Sequence, residues 1–253
     1  MTLTPNPRAL RALLWPALLS LSLSACGVGV GVGEALTQKT FTFKGKLPAD
    51  FSLRAQAHYS VANDCTAGRS KAKTFKTEFQ STPQQYNFEI PVTYRHGLCE
   101  MQLARVGLFI EGRYGEQDWQ NTYDNGELRI VDALPEGALE FKADGYLTKQ
   151  AQCTWLFQQS TAKSHLGEIS KLLKCKSAGA YLAVDTLPGK IVQLDFTVSD
   201  EERPYLRDTW VKFPEGWKPC LPKEGWPNCQ VPPVFKTFKM NGRECTVYPN
   251  CTE

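Results

Sequence analysis

From Phe41 onward, apolar side chains recur at every second position, the repeat of a strand with one buried face. FTFKGKL alternates Phe41 and Phe43 with polar partners. Leu53, Ala55, Ala57, Tyr59 and Val61 share one face of SLRAQAHYSV, which puts His58 on the solvated phase. In TFKTEF, Phe75 and Phe79 stand four apart. Tyr86, Phe88, Ile90 and Val92 align in YNFEIPV, where Pro91 suits a strand end or an edge. Cys99, Met101 and Leu103 are in phase, and Val106, Leu108 and Ile110 continue one residue out of phase. That shift predicts a β-bulge between Leu103 and Val106. TYDNGELRIV carries Asn125-Gly126 between β-rich arms, which predicts a hairpin turn. About seven strands in residues 38–132 read as a β-sandwich module.

A second β run, residues 133–212, opens at Leu134-Pro135. It alternates Leu139, Phe141 and Ala143, then Cys153, Trp155 and Phe157, and ends on the strand pattern of KIVQLDFTV. Residues 164–175 fit a helical face or a strand face; the strand would let Cys175 face Cys153 across a hairpin. Leu-Pro precedes a cysteine by a similar distance in both runs, so the body is either two related β modules or one larger two-sheet domain. From 213 to 253 the period fails. EGWKPC and EGWPNC repeat nine apart, and a Cys/Pro-rich, irregular tail that must be stapled is expected. The fold class is mainly β: a disulfide-stapled antiparallel β-sandwich with this tail.

Composition agrees. A 42% hydrophobic chain buries a core, and 16 prolines with 19 glycines argue against a helical bundle. A net charge of +3 does not suggest a dedicated nucleic-acid binder.

The N-terminus adds a compartment. Arg8 and Arg11 precede an apolar run over residues 12–25, interrupted by Pro16 and too short for a spanning helix. Leu23-Ser24-Ala25-Cys26 follows, an aliphatic residue, two small residues and a cysteine. This segment resembles the signal peptide and lipobox of bacterial lipoproteins. The resemblance covers residues 1–26 and implies cleavage after residue 25, with diacylglycerol and an N-acyl chain on Cys26. It implies a membrane-tethered protein, with residues 26–37 as lipidated cysteine and Gly-rich tether. Gly27, where an Asp typically retains such proteins at the inner membrane, implies the outer membrane facing the periplasm in a Gram-negative source. Loss of Arg8 and Arg11 leaves 27 basic against 26 acidic side chains, close to neutral.

Nine cysteines then divide into Cys26 and eight others: Cys65, Cys99, Cys153, Cys175, Cys220, Cys229, Cys245 and Cys251. An even set in an exported chain predicts disulfides. Chain order suggests Cys65 with Cys99 and Cys153 with Cys175. The tail's four are expected to pair among themselves, either nested (Cys220–Cys251, Cys229–Cys245) or in sequence. There is no CxxC, and His58, His96 and His165 are scattered, so neither a metal site nor a cofactor is expected.

No GxSxG, HExxH, Walker or GxGxxG motif is present. His96 could act as a base, but a surface or packing role is expected; Asp118, Asp124 and Glu127 surround the expected hairpin without the spacing of a calcium loop, and Asp124 is expected to belong to the turn, with a weak cation site as the alternative. Arg69, Lys71, Lys73 and Lys76 form a basic run that suits a solvated face or an anionic surface. Trp217 and Trp226 are the candidate binding residues, against the alternative that both fill a small core between bridges. The expected function is a non-enzymatic binding module with a protein or envelope partner, in one version an inhibitor or immunity factor. An envelope assembly component and a cell-wall or lipid hydrolase are the alternatives.

Overall fold

The computed structural model describes residues 39–62, 65, 69–235 and 237–245. The expectations for the signal peptide, Cys26, the tether and Cys251 lie outside these residues. Among the described residues there are sixteen strands and two short 3-10 turns. The first seven strands are β1 Thr40–Leu47, β2 Phe51–Ala62, β3 Lys71–Lys76, β4 Gln84–Pro91, β5 Thr93–His96, β6 Cys99–Arg113 and β7 Asn121–Val131. Five more complete the body: β8 Tyr146–Gln159, β9 Ile169–Lys176, β10 Gly179–Ala183, β11 Ile191–Val198 and β12 Arg203–Pro204. The tail adds β13 Trp210–Phe213, β14 Gly216–Pro219, β15 Phe238–Met240 and β16 Arg243–Cys245.

Two six-stranded sheets make the sandwich. One runs β4, β1, β11, β8, β9, with β12 beside β8 beyond the end of β11. The other runs β3, β2, β6, β7, β10, with β5 beside the start of β6. Most pairs are antiparallel, but β11 lies parallel to both β1 and β8, β10 to β7, and β12 to β8. Each sheet therefore takes strands from both sides of Leu134-Pro135, and a single core cluster spans Phe41 to Phe196.

Period two decides what is buried. Phe41, Phe43 and Leu47 of β1, Leu53 to Tyr59 of β2, and Val192, Leu194 and Phe196 of β11 all point into the core. Phe43 packs edge-on to Tyr86 at 5.1 Å, and the Tyr86 hydroxyl donates to the Leu194 carbonyl at 2.7 Å. The register of β2 against β6 slips between His58 and Tyr59, where Ala104 is the extra residue. This bulge lets both halves of β6 keep their apolar side chains inside.

Two strands change sheets. Pro91 ends β4, and Val92 then donates to Lys39 at 2.7 Å on one sheet while accepting from Leu103 at 2.8 Å on the other. On the opposite side, Ser177 and Ala178 carry the chain from β9 to β10. Asn125-Gly126 belongs to this second crossing. It lies inside β7, not at a hairpin turn, which corrects the expectation above. The glycine is needed for close approach: a Cβ on Gly126 would stand 1.8 Å from the Ala178 carbonyl oxygen. Residues 138–145 are likewise a loop rather than a strand, with a turn at 143–144 and Leu139 exposed.

Residues 164–175 resolve into a 3-10 turn, Lys163–His165, followed by strand β9. Cys153 and Cys175 are direct cross-strand partners and are disulfide-bonded. Cys65 is bonded to Cys99. Cys220 is bonded to Cys229, so the nested pairing in the tail is not formed. Cys245 is also disulfide-bonded.

The tail has a second, smaller core. Phe157 and Ile169 extend past the sandwich at the end of the β8–β9 hairpin and meet Trp210 and Phe238. Trp210 stands edge-on to Phe157 at 4.8 Å and to Phe238 at 5.4 Å. Two short hairpins, β13–β14 and β15–β16, frame this cluster.

Candidate functional site

A concave surface lies where β8, β9 and β7 meet the segment after β12. It is a groove of about 730 Å³. Leu156, Pro204 and the half-buried Trp217 supply apolar lining, and Tyr205 stands exposed at its side. Lys174, Lys176, Arg203 and Arg207 bring four cations to it, against Asp124 and Asp208.

Asp124 is already committed. It faces inward from β7, accepts the Cys175 N–H at 2.7 Å and pairs with Lys174 at 3.1 Å. Its carboxylate thus locks the end of β9 to β7, close to the crossing between the sheets. Among the described residues no acidic side chain is within ion-pair distance of Lys176, Arg203 or Arg207. Glu201 is held below the usual carboxylate range, first by the hydrogen bond from Lys212 and last by the field of Arg203. A low-dielectric wall beside unpaired cations focuses positive potential, so the groove favours an anionic group carried on an apolar or planar frame.

The other candidate residues fall elsewhere. Glu127 projects to the outer face of its sheet and bridges Arg129 at 2.5 Å and Arg105 at 3.3 Å. Its carboxyl is held below the usual range, chiefly by the Arg129 hydrogen bond, against the opposing effect of burial. Asp118 lies in the loop before β7, so the three carboxylates share no cation site. Among the described residues no cluster of His, Cys, Asp or Glu has metal-binding geometry. His58 lies on the outer phase of β2, and burial followed by the nearby Arg105 lowers its pKa. His96 is exposed at the end of β5.

Lys71, Lys73 and Lys76 lie on the edge strand β3, where Lys73 sits 3.7 Å from the Tyr94 ring centre and Lys76 pairs with Glu78. Lysines on an exposed edge oppose pairing with another chain. The basic run lies along this edge and does not line the groove.

Trp217 and Trp226 part ways. Trp217 packs on Phe157 at 6.0 Å and lines the groove. Trp226 is 59% exposed at a turn held by its N–H bond to Lys223.

A second pocket, about 520 Å³, joins Glu116, Trp119, Gln120, His165, Glu168 and Asn241. Trp119 stacks on His165 at 4.3 Å, and Ser164 Oγ is 2.7 Å from His165 Nδ1. A nucleophile–base pair needs a third group to orient the base. Glu168 instead accepts the Gly242 N–H at 3.4 Å, and buried Gln120 holds Asn241 at 2.5 Å. Glu168 and Gln120 are thus engaged in fastening the tail to the body.

No family model, no curated protein and no solved structure matches the chain.

Proposed function

We propose that the chain is an outer-membrane-anchored periplasmic lipoprotein acting as a non-enzymatic binding module, with the groove around Trp217 and Tyr205 as its binding face. The observation that carries the binding reading is the cation set. Lys176, Arg203 and Arg207 converge on an aromatic surface while the inward acid, Asp124, is spent on Lys174 and the β9 backbone. A partner that offers carboxylates or phosphates beside an apolar surface complements this arrangement. An inhibitor or immunity factor that occludes such a partner through a rigid β surface fits it well.

The anchor rests on the Leu23-Ser24-Ala25-Cys26 motif and the basic-apolar segment before it. Cys26→Ala should move the protein from the membrane to the soluble fraction and abolish labelling by a fatty-acid probe; unchanged partitioning would contradict the anchor. For the binding face, charge reversal by Arg203→Glu with Arg207→Glu should abolish the envelope crosslinks made by the wild type. Equal crosslinking by both proteins would contradict the groove as the binding face.

A further inference from the structure

The apolar side chains of residues 220–235 are turned outward. Leu221, Trp226, Val231, Val234 and Phe235 are all exposed, Val231 at 94%. In a water-soluble fold such side chains are costly when they cluster, and here they cluster in a segment tied down at several points. The Cys220–Cys229 bond closes its first turn. Lys223 donates to Asn228 at 2.8 Å inside that turn. Leu221 donates to Val234 at 2.6 Å and accepts from Gln230 at 3.1 Å. The segment is thus a small stapled lobe with Trp226 and Val231 at its turns.

Three features point to the kind of surface it meets. Trp226 and Val231 protrude at turns, and none of the exposed side chains lines a groove described above, so they suit a soft, deformable partner rather than a shaped protein cleft. Pro222, Pro227, Pro232 and Pro233 interrupt the same stretch and have no N–H to desolvate. Cations flank it: Lys218 lies 5.4 Å from the ring centres of both Phe213 and Phe235, and Lys223 is exposed on the turn. Glu215 and Glu224 oppose this charge, leaving the apolar contribution dominant. Exposed Trp with aliphatic tips and neighbouring Lys is the composition that concentrates at the boundary between headgroups and acyl chains.

We propose that this stapled lobe inserts into a lipid bilayer interface, with Trp226 and Val231 leading. The contact is separate from acylation of Cys26 and from the groove, and orients the body against the membrane surface. The test uses residues 27–253, which lack the acylation site and contain the compact unit Thr37–Glu253. Vesicles of phosphatidylcholine with phosphatidylglycerol should cosediment this protein. Trp226→Ala with Val231→Ser should reduce partitioning about tenfold or more, because two large apolar contacts are lost. Gln150→Ala, at an exposed position of β8 outside the lobe, should leave it unchanged. Brominated lipid should quench the wild-type fluorescence, and Trp226→Phe, which keeps an apolar anchor, should bind but lose most of that quenching. A matching far-ultraviolet spectrum and an intact Cys220–Cys229 bond establish that the double variant is folded. No wild-type cosedimentation, unchanged partitioning of the folded double variant, or quenching that survives Trp226→Phe would each overturn the proposal. Self-association without vesicle binding would overturn it too, and would mark the lobe as an interface between copies.

Discussion

The sandwich and the tail treat apolar side chains in opposite ways. In the sandwich, Phe41, Phe43, Leu53, Ile110 and Leu194 all face one shared core, and the outer faces carry Lys, Gln, Thr and Arg. In the tail, Trp210 and Phe238 find a small cluster, yet Leu221, Trp226, Val231, Val234 and Phe235 face solvent. Alternation along a paired strand gives each apolar residue an inside to point to. The tail has only short hairpins, so bridges and local hydrogen bonds fix its shape while much of its apolar surface stays outside. The difference separates a body that stays folded by burial from a stapled appendage that leaves apolar side chains outside.

The contrast is sharpest in core truncation. Phe43→Ala should cost about 3–5 kcal/mol of unfolding free energy in urea, through lost burial and a cavity. Trp226→Ala should cost less than about 0.5 kcal/mol, as an exposed residue does. Comparable losses from both would erase the distinction. Next in size is the bridge across β8 and β9. Replacing Cys153 and Cys175 by serine opens a span of 22 residues inside the body. It should lower global stability by about 3 kcal/mol. Removing Cys220–Cys229 should instead leave the body's transition nearly unchanged and make residues 220–235 sensitive to protease. A global loss from the tail bridge would join the two regions into one cooperative unit.

Gly126→Ala tests the crossing between the sheets. Its Cβ meets backbone at 1.8 Å, so β7 and the Ser177-Ala178 turn must move apart. Thermal unfolding should register a loss of about 1–3 kcal/mol. The smallest effect is the pH dependence from Glu127. Its folded pKa lies below the reference of 4.5, so its contribution is present above that value and is lost as pH falls through the lowered folded value. For a pair this accessible the amount is under about 1 kcal/mol. Glu127→Gln should flatten that part of the stability profile, visible as a smaller change in urea midpoint between neutral and acid pH.

The strands were legible because burial on one face imposes period two, and the bulge at Ala104 was legible because it breaks that period between Leu103 and Val106. Asn125-Gly126 misled for a physical reason. The same dipeptide that makes a tight turn also permits close backbone approach, and only the fold brings Ala178 against it. Leu139, Phe141 and Ala143 alternate like a strand but belong to a loop, with Leu139 left exposed. Chain order pointed to Cys153–Cys175 because a hairpin makes neighbours of adjacent strands; for the tail it left two arrangements open, and Cys220–Cys229 follows the sequential one. The groove was mostly hidden. Trp217 stood out in its repeat, but Lys176, Arg203, Arg207 and Asp124 come from separate elements that only the packed sheets bring together.

Photocrosslinking in the native envelope tests the binding face most directly. A photoreactive residue at Tyr205, at the groove, is compared with one at Gln150, an exposed position of β8 that does not line the groove. A discrete adduct is expected from position 205 that disappears with Arg203→Glu and Arg207→Glu, and none from position 150. Equal adducts from both positions, or an adduct at 205 that survives charge reversal, would contradict it.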